Sequence, residues 1–180
     1  TGGSIVPPYD DDRIIAGQGT IALELLGQVP DLDAIVVPVG GGGMIAGIAI
    51  CVKAIAPGIK VIGAEPELVD DAARSRRSGR IESHRGDPTS PIADGLRTTL
   101  GERTFPVIRD LVDDIVTVPE TRIRKALRLV MERAKLVIEP SAAVGIAALD
   151  DDGFRRHGFQ RVGVVLCGGN LDLDALPSLL

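Results

Sequence analysis

The sequence predicts an α/β protein of three layers, with helices packed on both faces of a mainly parallel, twisted sheet. Three observations carry this. Short apolar runs, Ala34 to Val39, Lys60 to Ala64, Ile115 to Val118 and Arg161 to Leu166, are rich in β-branched residues, as strands buried on both faces are. Segments of helical spacing separate them, which is the alternation of βαβ units. Two glycine turns, Gly40 to Gly43 and Cys167 to Asn170, each follow a strand. Both therefore fall at the carboxyl edge of the sheet, where such folds bind ligands.

Taken in order, the chain opens with a strand-like Ser4-Ile5-Val6. It runs into Pro7-Pro8-Tyr9 and three aspartates, the composition of an exposed connection. A helix starts at Gly17-Gln18-Gly19-Thr20, with Thr20 as N-cap, and ends at Gly27 before Pro30. The strand from Ala34 leads through four glycines into an apolar helix that continues from Met44 toward Pro57. Pro57-Gly58 turns the chain into the second strand, closed by Glu65-Pro66. A helix from Val69 to Ser78 presents Arg74, Arg76 and Arg77 as a solvated face, and Glu82 to Pro91 is a polar loop. Glu102 to Val112 is expected to be helical despite Pro106, which falls near its first turn. After the third strand, Pro119 to Lys135 is amphipathic, with Ile123, Ala126, Leu127, Val130 and Met131 on one stripe. Leu136 to Ile138 reads as a short strand, Ser141 caps a small-residue helix to Leu149, and Asp150 to Gln160 is a polar loop with His157 exposed.

A chain of 180 residues can bury one sizeable core. A net charge of −5 with no Trp, one Tyr and three Phe argues against nucleic acid and anionic membranes as partners. No run has the length of a membrane span or the pattern of a signal peptide. Cys51 and Cys167 lack metal-site spacing, so a reducing cytoplasmic location is expected. The opening on Thr1 rather than Met gives the expectation of a C-terminal portion, with residues 1–12 closing a small domain and 13–180 forming an incomplete large one.

The chemistry is concentrated at the first glycine turn. Glycines let a ligand approach the main chain, and the following helix adds unpaired N–H groups and a positive dipole end. Such a site takes a phosphate. A loose linker is the alternative, but linkers are not clamped between two apolar elements. Two phosphate-bearing guests are open. Gly41-Gly42-Gly43-Met44-Ile45-Ala46 satisfies the G-x-G-x-x-A dinucleotide pattern, with Glu65 ending the next strand, which would make an NAD-dependent oxidoreductase. That reading leaves the fourth glycine and the second glycine turn without a role.

The other guest is pyridoxal phosphate. The stretches Ile15-Ala16-Gly17-Gln18-Gly19-Thr20, Val37-Pro38-Val39-Gly40-Gly41-Gly42-Gly43-Met44, Ala64-Glu65-Pro66, Ala93-Asp94-Gly95, Val112-Asp113-Asp114, Ile138-Glu139-Pro140 and Leu166-Cys167-Gly168-Gly169-Asn170 follow one another along the chain. In this order they resemble the serine racemases and serine/threonine dehydratases, which are fold type II pyridoxal phosphate enzymes. The resemblance implies the large domain of the tryptophan synthase β-like fold. It also implies dehydration and deamination of serine, threonine or 3-hydroxyaspartate, with racemisation as an accompanying activity, in a homodimer.

On the residues here, the resemblance gives Gly40, Gly41, Gly42, Gly43 and the Met44 amide the cofactor phosphate. It places Cys167 against the pyridine nitrogen, where relatives commonly have Ser. It assigns a divalent Mg²⁺ or Ca²⁺ to Glu65, the Val69 carbonyl and Asp71, an all-oxygen set suited to hard cations. Read alone, Asp70 and Asp71 would simply favour the start of the Arg-rich helix. Animal serine racemases add ATP contacts at positions similar to Lys135 and Asn170, which plant and bacterial relatives need not share. The family's Schiff-base lysine segment has no counterpart: Lys53, Lys60, Lys125 and Lys135 are all in the wrong setting. The expected partner is therefore a missing N-terminal segment of the same enzyme, and this chain alone is expected to be inactive.

Overall fold

The computed structural model describes residues 2–180, and within it four parallel strands form one sheet. Strands β1 (Ala34–Pro38), β2 (Lys60–Pro66), β3 (Asp114–Val118) and β4 (Val162–Val164) lie in the order β3-β2-β1-β4. Strand β1 is central and wholly buried, pairing Val36 with both Ile62 and Val164. Side chains alternate between its faces, as the two-residue strand period requires. Ala34 and Val36 join a core with Ile62, Val116, Leu127 and Val144, while Ile35 and Val37 join one with Ile48, Val61 and Ile108.

Helices build the outer layers. One layer holds α1 (Asp12–Gln18), α2 (Thr20–Gln28), α3 (Gly43–Ile55), α4 (Asp71–Ser78) and α5 (Thr104–Leu111). The other holds α6 (Glu120–Leu129), α7 (Pro140–Ala148) and α8 (Asp152–Arg155), and a last turn, α9 (Leu176–Leu179), ends the chain. The crossing of α1 on α3 depends on Gly47, where a Cβ would stand 2.2 Å from the Ile15 carbonyl oxygen. The three-layer expectation thus holds, and helix α7 keeps to the small residues that let it sit close to β1 and β2.

Several local expectations are corrected. Residues 12–18 are helical, because the Asp11 side chain accepts the Arg13 amide at 2.9 Å and caps α1. Thr20 is not an N-cap; Gly19 holds that position, and the Thr20 hydroxyl donates to the Gly17 carbonyl. Ser141 lies inside the first turn of α7, after Pro140, and its hydroxyl serves another segment. Neither Ser4 to Val6 nor Leu136 to Ile138 is a strand: among the described residues no neighbour pairs with them, and Ile5, Val6, Leu136 and Val137 are exposed. The amphipathic helix stops at Leu129, giving way to a π-type turn, Val130–Ala134, ended by Lys135 in the left-handed region at φ 59°.

Two of the three α4 arginines are structural pins. Arg74 is buried against Asp70 and the Ser83 carbonyl, and Arg76 donates to the carbonyls of Val112 and Asp113; only Arg77 is exposed. At the amino edge of the sheet, burial would raise the Asp113 carboxyl. Hydrogen bonds from Lys53, the Val61 amide and Lys60 outweigh that and hold it below the usual carboxylate range. The ligand edge lies at the opposite end of the strands.

Candidate functional site

Beyond Pro38, the Val39 amide still pairs with the Ala64 carbonyl at 2.9 Å, and then the chain leaves the sheet through Gly40 to Gly43. Gly42 sits at φ 90°, the left-handed region that glycine enters freely, and it forms the N-cap of α3. The Ala46 amide pairs with the Gly42 carbonyl, so the amides of Gly43, Met44 and Ile45 precede the first helical bond and are donors without a helical acceptor. The turn is held from behind by Thr104. Its buried hydroxyl donates to the Gly41 carbonyl at 2.8 Å and accepts the Gly101 amide at 2.9 Å.

The segment read as an exposed connection is seated on this turn. The Tyr9 ring lies against Gly41, and Asp10 Oδ1 accepts the amides of Arg103 and Thr104 at the start of α5. A cavity of about 310 Å³ opens beside the turn, lined by Gly40 to Gly43 and Met44, and across it by Gly95, Glu139, Ser141 and Cys167. The sequence-predicted cradle and Cys167 therefore share one cavity.

The far wall is tied together by side chains. Glu139 Oε2 accepts the Asn170 amide at 2.9 Å, and the Glu139 amide donates to the Gly168 carbonyl, which fixes the second glycine turn. Ser141 Oγ accepts the Gly95 amide at 3.0 Å, anchoring the Gly95 to Thr98 segment. Tyr9, Thr104, Glu139 and Ser141 were assigned no role in the site by sequence. Each acts through a contact made far along the chain, such as Thr104 to Gly41, and no local pattern signals it.

A slightly larger cavity, about 340 Å³, lies among α1, α3 and α5. It is lined by Ile15, Leu23, Ile50 and other apolar groups, with Arg103 and Asp12 paired at its rim. That cavity is mainly apolar, so the smaller glycine-lined cavity is the candidate site.

The acidic residues at the end of β2 lie inside the protein. Glu65 is 1% exposed, and its two oxygens accept the amides of Ala72 and Ala73 at 2.7 and 2.9 Å, at the start of α4. A carboxylate so engaged has nothing to offer a dinucleotide ribose in the cavity. Burial pushes the Glu65 carboxyl up to about 8 despite those amides, with Asp71 and Asp70 adding repulsion. Asp71 is likewise buried and raised to about 6 by that burial, against the opposing pull of His84, the Leu100 amide and Arg74. Asp71 Oδ2 has no hydrogen-bond partner.

Two buried carboxyls and an orphaned oxygen lie close together here. However, among the described residues no three His, Cys, Asp or Glu side chains converge as a metal cluster. Glu65 is turned to the helix amides, and the set expected from Glu65, Val69 and Asp71 is not assembled as three converging ligands.

No lysine lines the cavity among the described residues. Lys53 and Lys60 are bonded to Asp113 at the other end of the sheet, Lys125 faces Asp150, and Lys135 donates to the Glu132 carbonyl. Of the two positions compared with ATP contacts, Asn170 gives its amide to Glu139 and Lys135 turns onto its own helix end. No helix among the described residues is long and apolar enough to cross a membrane.

The family model described as "Pyridoxal-phosphate dependent enzyme" matches residues 1–168. A serine racemase of Arabidopsis thaliana is 50% identical over 180 residues, 98% of this chain and 54% of the relative. The structure of maize serine racemase superposes with a TM-score of 0.93 at 44% identity, covering 99% of this chain and 55% of that one. The structure of a serine racemase from Dictyostelium discoideum gives 0.88 at 46% identity, covering 93% and 54%. The chain spans about half the length of the curated relatives it matches.

Proposed function

Because the chain belongs to the pyridoxal-phosphate dependent enzymes, we propose that it forms the cofactor-phosphate cradle of an enzyme that dehydrates and deaminates serine, threonine or 3-hydroxyaspartate, and racemises serine. One observation carries this reading: four consecutive glycines, the start of α3 and Cys167 border a single cavity. The residues fit the group. Amides at the start of α3 bind a phosphate dianion, since they have no other acceptor and stand at the positive end of a 13-residue helix. The weakly polar Cys167 thiol, on the opposite wall of the cavity, would stand by the cofactor's ring nitrogen and, as a poor partner for a charged ring, would leave it largely unprotonated. When bound, the cofactor supplies the electron sink for loss of the α-proton and β-hydroxyl.

The reacting lysine comes from a further segment of the same enzyme, since all four lysines here are engaged away from the cavity. The outer edge of β4 accommodates that segment. Its three residues are half-buried, and among the described residues no strand pairs beyond it. The assembled enzyme is a cytoplasmic homodimer. The test is a pyridoxal phosphate titration of the purified 180-residue chain, followed by equilibrium dialysis. Binding that inorganic phosphate competes away is expected, with no pyruvate released from serine. Absence of binding sinks the cradle, and pyruvate release sinks the need for a further lysine.

A divalent cation belongs to the same reading only through Asp71, whose orphaned Oδ2 supports it; Glu65 would have to release the Ala72 and Ala73 amides before it and the Val69 carbonyl could contribute. Its role is structural: it compensates buried carboxylates beside the cavity wall. The raised carboxyls give a sign. The folded state holds these protons more tightly than the unfolded chain, so their contribution to stability is full below about pH 4 and falls as pH rises toward about 8. For Glu65 the loss is on the order of 3–5 kcal/mol. Thermal melts in EDTA should therefore decline from about pH 5 to about pH 9, and Mg²⁺ or Mn²⁺ should restore more stability at the higher value than at the lower. Indifference to these ions at both values removes the cation from the reading.

A further inference from the structure

We propose that the Ser141 hydroxyl, and not the Cys167 thiol, is the hydrogen-bond donor to the ring nitrogen of the cofactor. The inference rests on the pyridoxal phosphate reading above and names the residue that orients the ring within it.

Three hydroxyls are buried among the described residues, those of Ser75, Thr104 and Ser141. A hydroxyl has one proton to give and lone pairs that receive. Thr104 does both, donating to the Gly41 carbonyl and accepting the Gly101 amide. Ser75 also does both: it donates to the Asp71 carbonyl at 2.6 Å and accepts the Glu82 amide at 2.9 Å. Ser141 accepts the Gly95 amide at 3.0 Å, and its proton has no acceptor among the described residues. It is 4% exposed, and the space it borders is the glycine-lined cavity. A buried donor left unpaired costs free energy, which an acceptor on a ligand recovers.

The backbone fixes where that donor stands. Pro140 opens α7 at the first helical position, and Ser141 follows it in the first turn. The Gly95 amide takes one side of Oγ, and Gly95 leaves the oxygen uncovered: a Cβ there would stand 3.0 Å from it. The hydroxyl is thus held on the wall across from the cradle, with Glu139 and Cys167.

Charge on this wall selects the acceptor. The phosphate belongs to the glycine turn and the start of α3, so the wall meets the ring. That ring offers two acceptors, a phenolate oxygen and a neutral nitrogen. The Glu139 carboxylate repels the phenolate, which leaves the nitrogen. No Lys, Arg or His lines the cavity among the described residues to offset that carboxylate. Of the two donors at hand, the Cys167 thiol is weak and exposed, whereas Ser141 offers a stronger, buried O–H.

The test is equilibrium dialysis of the purified chain against pyridoxal phosphate and against its 1-deaza analogue, in which a C–H replaces the ring nitrogen. Wild type should bind pyridoxal phosphate about five- to tenfold tighter than the analogue. Ser141→Ala should lose that preference by weakening pyridoxal phosphate alone, and Ser141→Thr, which keeps the hydroxyl, should retain it. Cys167→Ala should keep the preference within about twofold of wild type. Equal weakening of both ligands in Ser141→Ala would make Ser141 only an anchor of the Gly95 segment, and overturns the proposal. Loss of the preference in Cys167→Ala, or no preference in wild type, overturns it as well. Failure of wild type to bind either ligand overturns the cradle reading itself, and the proposal with it. Should Ser141→Ala not fold, the preferences of wild type and Cys167→Ala decide between the two residues.

Discussion

Gly41→Asp is expected to abolish pyridoxal phosphate binding, weakening it by about a thousandfold or more. Two effects add. A Cβ on Gly41 would stand 2.4 Å from the Tyr9 ring, so the ring that seats residues 9 and 10 on the turn must be expelled. The carboxylate then faces a phosphate dianion, and one pair of like charges about 4 Å apart costs about 4 kcal/mol at a half-buried site. Gly42→Asp should behave similarly, because its φ of 90° strains any side chain and its Cβ would meet Ile108 at 2.6 Å. Gly58→Asp is the control, since nothing lies within 4 Å of its Cβ. Equilibrium dialysis with the cofactor reads all three. Unchanged affinity in Gly41→Asp places the phosphate elsewhere.

Gly47→Val is expected to be the most damaging single change to stability, costing at least about 4 kcal/mol, the exceptional end for a point substitution. The atoms in the way are backbone: the Ile15 carbonyl oxygen at 2.2 Å and the Gly19 amide at 2.7 Å, neither of which can rotate aside. Helix α1 must lift from α3, and with it the capped turn at Asp11. Gly27→Ala, in α2 with open space around it, should instead stabilise by up to about 1 kcal/mol through helix propensity. Urea unfolding midpoints measure both. A Gly47 variant within about 0.5 kcal/mol of wild type would mean that α1 does not dock on α3 as described.

The sheet and the glycine turn were legible because their signals are local. A buried parallel strand announces itself as a run such as Ala34 to Val39, and Gly40 to Gly43 can be read without knowing what lies opposite. Elements that depend on distant partners were not legible. Leu136 to Ile138 has the composition of a strand but no neighbour to pair with, and Ser4 to Val6 fails for the same reason. Thr20 and Ser141 are good capping residues by type, but backbone geometry gave the caps to Gly19 and Glu139. Arg74 and Arg76 read as solvated because charge implies water, and only the fold reveals the carbonyls that anchor them. His84 lay in a polar loop, and its meeting with Asp71, thirteen positions earlier, is a tertiary event.

The strand order has a consequence for how the chain is made. Strand β1 emerges early, yet its second neighbour is β4, so Ala34 must wait for Val162. The latch is equally remote: Asp33 accepts the amides of Gln160 and Arg161 and donates its own amide to the Arg161 carbonyl. Closing so long a loop adds only a slowly growing entropic cost, but it delays the reward, so folding is slow for its size. During synthesis, the wholly buried central strand presents an unpaired edge for most of the chain's length, a template for intermolecular pairing. A nascent chain arrested before Arg161 should therefore aggregate, and release past Val164 should be the point at which it becomes protease-resistant.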